Sequence, residues 1–177
     1  MMLPTLTSQK GLTGKILINP YLCEKIGTYR YFVASANPDG YAFSRDHNRM
    51  WRKTRSDNGG ILHCKGVDAN RNWGFHWNEG GSSNDKCSDT YHGPSAFSEV
   101  ENVAVSNFLL TVKDSLIFYN SIHSYSQLIL LPWGFQQTPP DDYEEMLALA
   151  LKGGDALTAV HGMTYEVFLD IGDIDLP

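Results

Sequence analysis

No stretch of apolar residues in this 177-residue chain approaches the length that spans a bilayer, which argues against a transmembrane anchor within it. The opening Met1-Met2-Leu3-Pro4-Thr5 lacks the basic and apolar regions of a secretory leader, so no address is expected from the chain as written. Basic charge is scarce as well: 14 Lys and Arg stand against 20 Asp and Glu, for a formal net charge of -6. That balance argues against nucleic acid or an anionic membrane as partner, since either demands concentrated cations against phosphate. A neutral or peptide-like ligand fits better. No internal repeats are found.

Cysteine is limited to Cys23, Cys64 and Cys87, enough for one disulfide and a leftover thiol, or for none in a reducing compartment. Cys64 and Cys87 flank a segment rich in Gly, Ser and Asn and are the expected pair. Closing a loop of that length contributes about 3 kcal/mol in the chain-entropy account. The alternative is two buried free thiols. What remains is the composition of a single soluble globular domain with one sizeable core.

Tyr31-Phe32-Val33-Ala34 reads as a short strand, ended by a turn at Asn37-Pro38-Asp39-Gly40 whose Pro and Gly are strong turn formers. Residues 56 to 96, with Gly59-Gly60 and Gly80-Gly81 among many Ser, Asn and Asp, predict long and largely irregular loops. Ser98-Glu99-Val100-Glu101 has the form of a capping box. The helix it opens is expected to present Val100, Val103, Ala104 and Phe108 on one face through about residue 112. Leu116-Ile117-Phe118-Tyr119 and Leu128-Ile129-Leu130-Leu131 are continuous apolar runs, as in strands covered on both faces. That spacing puts His123 at or just beyond the end of a buried strand. A further helix is predicted from Asp142, with Glu145 three residues on, to Gly162, weakened in its middle by Gly153-Gly154. Strands interleaved with helices point to an α/β sheet, where sites collect at the carboxyl ends of strands.

Several ordered motifs carry a more specific signal. They are Asn37 through Tyr41, the basic stretch Asn48 through Ser56, Gly66-Val67-Asp68-Ala69-Asn70-Arg71-Asn72-Trp73, Cys87 through Gly93 leading into Ser98, and Ser121-Ile122-His123-Ser124-Tyr125-Ser126-Gln127. Together, over roughly residues 30 to 165, the chain resembles the zinc metallocarboxypeptidases of the carboxypeptidase A/B type. The resemblance implies an α/β fold, a mixed and mostly parallel sheet with helices on both faces. It implies a partial zinc carboxypeptidase domain over residues 30–167, with a poorly matched segment at 1–29 and a divergent tail at 168–177.

An exopeptidase of this kind must grip a free carboxylate, polarise the scissile carbonyl and generate a nucleophile. The planar fork of an arginine suits the first task, with an Asn amide beside it. By the resemblance, Asn70 and Arg71 bind the terminal carboxylate, Arg52 stabilises the oxyanion, His123 is one of three zinc ligands, and Ser124 and Tyr125 line subsites for the penultimate residue. Taken singly, these residues have plainer readings: an Asn-Arg pair that ties down a loop, a basic cluster on a solvated face, a hydrogen-bonded histidine. The motifs in register favour the functional ones.

The chain also departs from the family pattern. The two other zinc ligands come from a His-x-x-Glu motif upstream of the Asn-Pro-Asp-Gly turn, and residues 1 to 36 hold no histidine. His76-Trp77-Asn78-Glu79 has the spacing but lies after the carboxylate-gripping pair, and it is not expected to join His123. The later tyrosine, the glutamate general base and the floor of the specificity pocket are expected beyond residue 177, so no terminal-residue preference is assigned. Three expectations follow: zinc-dependent hydrolysis of C-terminal peptide bonds by family membership, with this chain inactive as written; a non-catalytic pocket for peptide C-terminal carboxylates; or a chain too incomplete to fold stably. The expected partners are peptide or protein C-termini, bound by a monomer in an extracellular setting.

Overall fold

The computed structural model describes residues 29–59 and 63–169, together with the backbone of strand β1 (Ile16–Ile18). Cys23 and the tail from residue 170 lie outside the described residues. The chain divides into two compact units: Met1–Asn78 with Ser82–Ser115, and Glu79–Gly81 with Leu116–Pro177.

In the first unit β1 pairs antiparallel with β2 (Tyr31–Val33), Leu17 opposite Phe32. Helix α1 (Pro38–Asp46) follows where a turn was expected. The reason is local: Asn37 is an N-cap whose Oδ1 accepts from the Gly40 N–H at 3.0 Å, and Pro38 supplies a preset φ at the first turn, so residues that could turn the chain start a helix instead. The Asn37 amide also donates to the Lys53 carbonyl at 3.0 Å. A Cβ at buried Gly40 would lie 2.5 Å from that carbonyl.

Among the described residues from 51 to 99 the backbone is irregular apart from a 3₁₀ turn at Ala69–Arg71 and two isolated bridges, Asp57 with Lys65 and Ser83 with Tyr91. The expected Cys64–Cys87 disulfide closes this region, with Cα atoms 5.1 Å apart. Its interior is largely polar: among the described residues Thr54, Asp68, Asn72, His92 and Glu99 are buried beside Val67 and Tyr91.

Helix α2 (Val100–Val112) ends where predicted but does not start with a capping box. Glu99 occupies the cap position without a side-chain cap bond, because the Ser98 hydroxyl donates to the Glu99 carboxylate at 3.1 Å and accepts from Asn72 Nδ2 at 2.9 Å. The expected apolar face is not the buried one either. Glu101 and Asn102 are buried, whereas Val100 is 64% exposed. What draws the polar side inward is the loop below it, where Asn102 Nδ2 donates to the Ala69 carbonyl at 2.8 Å. Phe108 packs edge-on against Tyr31 with ring centroids 5.1 Å apart.

The second unit holds β3 (Leu128–Leu131), α3 (Tyr143–His161) and β4 (Glu166–Leu169). β3 and β4 pair in parallel, Leu128 opposite Glu166, and α3 is the crossover that a parallel connection requires. The helix runs unbroken through Gly153-Gly154, with Gly154 buried beside Ile129 and Tyr165. Gly162 stops it at φ 72° in the left-handed region, its N–H donating to the Thr158 carbonyl at 2.7 Å, as a helix C-terminus favours. Leu116–Tyr119, expected as a buried strand, is exposed and irregular. An apolar run becomes a strand only when a neighbouring ladder takes its N–H and C=O groups, and none pairs with it among the described residues.

Two outcomes are expected. Replacing Cys64 and Cys87 together by Ser should cost about 3 kcal/mol in denaturant unfolding, from the loop of 23 residues they close; an unchanged midpoint would contradict this. Burial raises the Glu101 carboxyl above its ordinary range, with the Glu99 and Asp39 charges adding to the effect. The folded state therefore holds this proton more tightly than the unfolded one, and stability declines as pH rises from the ordinary carboxylate range through the raised value. Glu101→Gln should be more stable than the parent at pH 7, with the gap closing at pH 4; a gap independent of pH would contradict it.

Candidate functional site

The first unit brings together three of the residues singled out in the sequence, Arg52, Asn70 and Arg71; the second carries His123, Ser124 and Tyr125. The segment after Trp51 runs alongside residues 65–68. Thr54 N–H donates to the Val67 carbonyl at 2.9 Å, Val67 N–H returns to Thr54 Oγ1 at 2.8 Å, and Gly66 N–H donates to the Ser56 carbonyl at 2.8 Å. Gly66 sits at φ 77°, and a Cβ there would run into the Thr54 carbonyl oxygen, so this close approach requires glycine.

That alignment sets Arg52 opposite Asp68. The Asp68 side chain is 3% exposed, and its Oδ2 accepts from Arg52 Nε at 3.0 Å and Nη2 at 2.9 Å. Its Oδ1 caps the 3₁₀ turn by accepting from the Asn70 N–H at 3.0 Å. The Asp68 backbone is held as well, its N–H donating to the Tyr91 carbonyl and its C=O accepting from the Arg71 N–H. On the turn so formed Asn70 is exposed and Arg71 half-buried. An exposed amide beside a guanidinium can present N–H donors to a carboxylate, and Arg52 is braced by the same Asp68.

Asn72 closes the turn from below. Its amide nitrogen lies within 3.0 Å of the His92 and Ser95 carbonyls and of Ser98 Oγ, and its Oδ1 accepts from the Glu99 N–H at 3.0 Å. Thr54 Oγ1 donates to Glu99 Oε2 at 2.6 Å. Gly93, at φ 87°, leaves room for this junction, where a Cβ would meet Ser98 Oγ and Asn72 Nδ2. Burial and the Glu99 charge raise the Tyr91 phenol above its ordinary range.

The other basic residues near Arg52 have separate tasks, so this stretch is not a uniformly solvated face. Lys53 is buried and donates from Nζ to the Lys86 carbonyl at 2.8 Å. Burial lowers its pKa, opposed by the charges of Asp89, Asp85 and Asp68. The Arg55 guanidinium lies 3.7 Å from the Phe43 ring centre and 4.4 Å from that of Trp51, a cation–π arrangement. A hollow of about 310 Å³ lined by Asp39, Ala42, Phe43, Asp46, His47 and Arg55 includes none of the expected site residues.

His123, Ser124 and Tyr125 lie in the exposed stretch between the Leu116–Tyr119 run and β3, not at a strand's end. The Ser124–Tyr125 peptide bond is cis. Among the described residues no group of three His, Cys, Asp or Glu side chains is arranged to hold a metal ion. Asp68 and Asn72 were missed as organisers of the site. The available signal was an Asp one residue before Ala69-Asn70, the position from which a carboxylate caps a turn.

A family model described as zinc carboxypeptidase matches residues 21–174. Carboxypeptidase B of Astacus astacus is 50% identical over 137 residues, 77% of this chain and 45% of that protein. Zinc carboxypeptidase A 1 of Drosophila melanogaster is 46% identical, over 76% of this chain and 31% of that protein. The crystal structure of carboxypeptidase A from Helicoverpa armigera matches with a TM-score of 0.75 at 32% identity, covering 80% of this chain and 35% of that one. The chain thus spans less than half the length of these relatives.

The polar junction makes one expectation concrete. Asn72→Ala should strand several buried groups and cost roughly 3 kcal/mol in urea unfolding. A loss below roughly 0.5 kcal/mol would show that the junction does not hold the turn.

Proposed function

The chain belongs to the zinc carboxypeptidase family, and on that footing we propose that it recognises the free carboxylate at a peptide's C-terminus, the binding step of zinc-dependent hydrolysis of the terminal peptide bond. The observation that carries this reading is the braced turn: Asp68 holds Arg52 through Oδ2 and caps Asn70-Arg71 through Oδ1.

In this reading Arg71 and Asn70 take the carboxylate, the guanidinium supplying a charged fork and the amide a further donor. Arg52 faces the scissile carbonyl, where a fixed positive charge stabilises the oxygen as it gains negative charge. By the family resemblance Ser124 and Tyr125 are assigned to recognition of the penultimate residue. His123 is assigned as a zinc ligand, and zinc when bound polarises the carbonyl and activates water. The described residues do not fit a complete zinc centre, since no group of three ligating side chains is arranged to hold a metal, so no step is assigned through it. The alternative reading keeps the same contacts in a pocket that binds peptide C-termini without cutting them.

Residues 30–167 form the partial catalytic domain in this account, and the family match reaches beyond it on both sides, to residues 21 and 174. The Cys64–Cys87 disulfide supports an extracellular setting. The net charge of -6 supports peptide rather than nucleic acid or anionic membrane as partner, bound by a monomer. Among the described residues no helix is long and apolar enough to cross a membrane.

Fluorescence anisotropy with a short labelled peptide tests the reading. The free-acid form should bind about tenfold or more tightly than its C-terminal amide, and Arg71→Ala should erase the difference. Equal affinity for acid and amide in the parent chain would overturn it.

A further inference from the structure

We propose that Asn58 is a site of spontaneous chemical modification: its side-chain amide is displaced by the Gly59 backbone nitrogen, and the aspartate and isoaspartate that result unfasten the loop from Gly66.

The sequence supplies the reactants once. Of the asparagines in the chain, only Asn58 is followed by glycine. The reaction needs the backbone nitrogen of the next residue to reach the Asn side-chain carbon, and glycine has no Cβ to obstruct that approach. Gly59 is exposed and sits at φ 61°. Beyond its chain neighbours, a Cβ there would meet none of the described residues within 4 Å, so packing does not bar the movement of this peptide unit.

The Gly59 nitrogen gives up its proton to solvent and attacks Asn58 Cγ. The new N–C bond closes a cyclic imide, the Cγ–Nδ2 bond breaks, and Nδ2 takes up a proton and leaves as ammonia. Water then opens the ring at either carbonyl. One opening leaves aspartate, and the other leaves isoaspartate, in which the backbone runs through the side-chain carbon.

The folded loop restrains both partners of this step. Asn58 Nδ2 donates to the Gly66 carbonyl at 2.7 Å, the Gly59 N–H donates to Asp57 Oδ1 at 3.0 Å, and Lys86 Nζ donates to the Asn58 carbonyl at 2.7 Å. Asp57 pairs in turn with Lys65 at 2.7 Å, but its side chain is 70% exposed. An exposed pair of this kind holds weakly. The tip therefore opens far more often than the chain unfolds, and ring closure proceeds from those openings. Once the amide is gone, carboxylate oxygen replaces the donor that faced the Gly66 carbonyl, and two acceptors oppose each other. Gly66 makes the close approach to Thr54, with its N–H on the Ser56 carbonyl at 2.8 Å, so the change reaches the segment that leads into Asp68.

The whole chain, held for weeks at neutral pH and physiological temperature, is mapped by peptide mass spectrometry, with an isoaspartate-specific carboxyl methyltransferase as the second readout. Asn58 should show the mass change of an amide-to-acid exchange ahead of every other asparagine, with isoaspartate in the same peptide, and Asn58→Gln should show neither. Lys86→Ala, which frees the Asn58 carbonyl, should speed the conversion roughly threefold or more. Asn58→Asp, which reproduces one product, should lose about tenfold of the hydrogen-exchange protection at the Gly66 amide. Asn58 intact at the end of the incubation would overturn the proposal, and this readout needs only the parent chain. A parental rate in Lys86→Ala would contradict restraint by the folded loop, and parental Gly66 protection in Asn58→Asp would contradict the unfastening.

Discussion

The Asp68–Arg52 ion pair is the constraint on which the rest of the candidate site depends. A carboxylate this far from water is tolerated only when its charge is compensated and its lone pairs are occupied. Both conditions are met within one short stretch of chain: the guanidinium on Oδ2, the Asn70 amide on Oδ1. Satisfying Asp68 fixes the conformation of the turn and the direction of Arg52 together. The close approach at Gly66, the Thr54–Val67 pairing and the Tyr91 carbonyl all serve to bring Asp68 to that position.

Around this pair the first unit is organised by hydrogen bonds more than by apolar packing. Thr54, Asn72, Glu99 and His92 are buried, and each has polar partners in the structure. Networks of this kind specify a single arrangement strongly, since every member left unpaired carries a desolvation penalty. The disulfide acts on the same region: Cys87 follows Lys86, whose carbonyl accepts from buried Lys53 and whose Nζ donates to the Asn58 carbonyl. Irregular backbone is thereby held without strands.

How much of this could be read from the sequence depended on whether the deciding interaction was local. Helix Tyr143–His161 was legible because its Gly162 stop is set locally, although Asp142 at its start makes no side-chain cap bond, and strands Tyr31–Val33 and Leu128–Leu131 followed from composition. The disulfide followed from the spacing of Cys64 and Cys87 around a glycine-rich loop. Leu116–Tyr119 misled because a strand needs a partner that composition does not supply. Asn37–Gly40 misled because a turn and a helix N-terminus use the same chemistry. The Ser98 cap was lost to Asn72, 26 residues away. Arg52, Asn70 and Arg71 stood out in the sequence as a family pattern, yet the bonds that Asp68 makes to Arg52 and to the Asn70 N–H did not, since the first arises from two segments lying abreast.

The most direct test of the account is an NMR titration of the ¹⁵N-labelled chain with a short peptide bearing a free C-terminus. The largest shifts are predicted at the Asn70 and Arg71 amides and the Arg52 guanidinium, with the residues of the Phe43, His47 and Arg55 hollow unmoved. Shifts centred on that hollow, with the Asn70-Arg71 turn silent, would contradict the assignment of this turn as the site that grips peptide carboxylates.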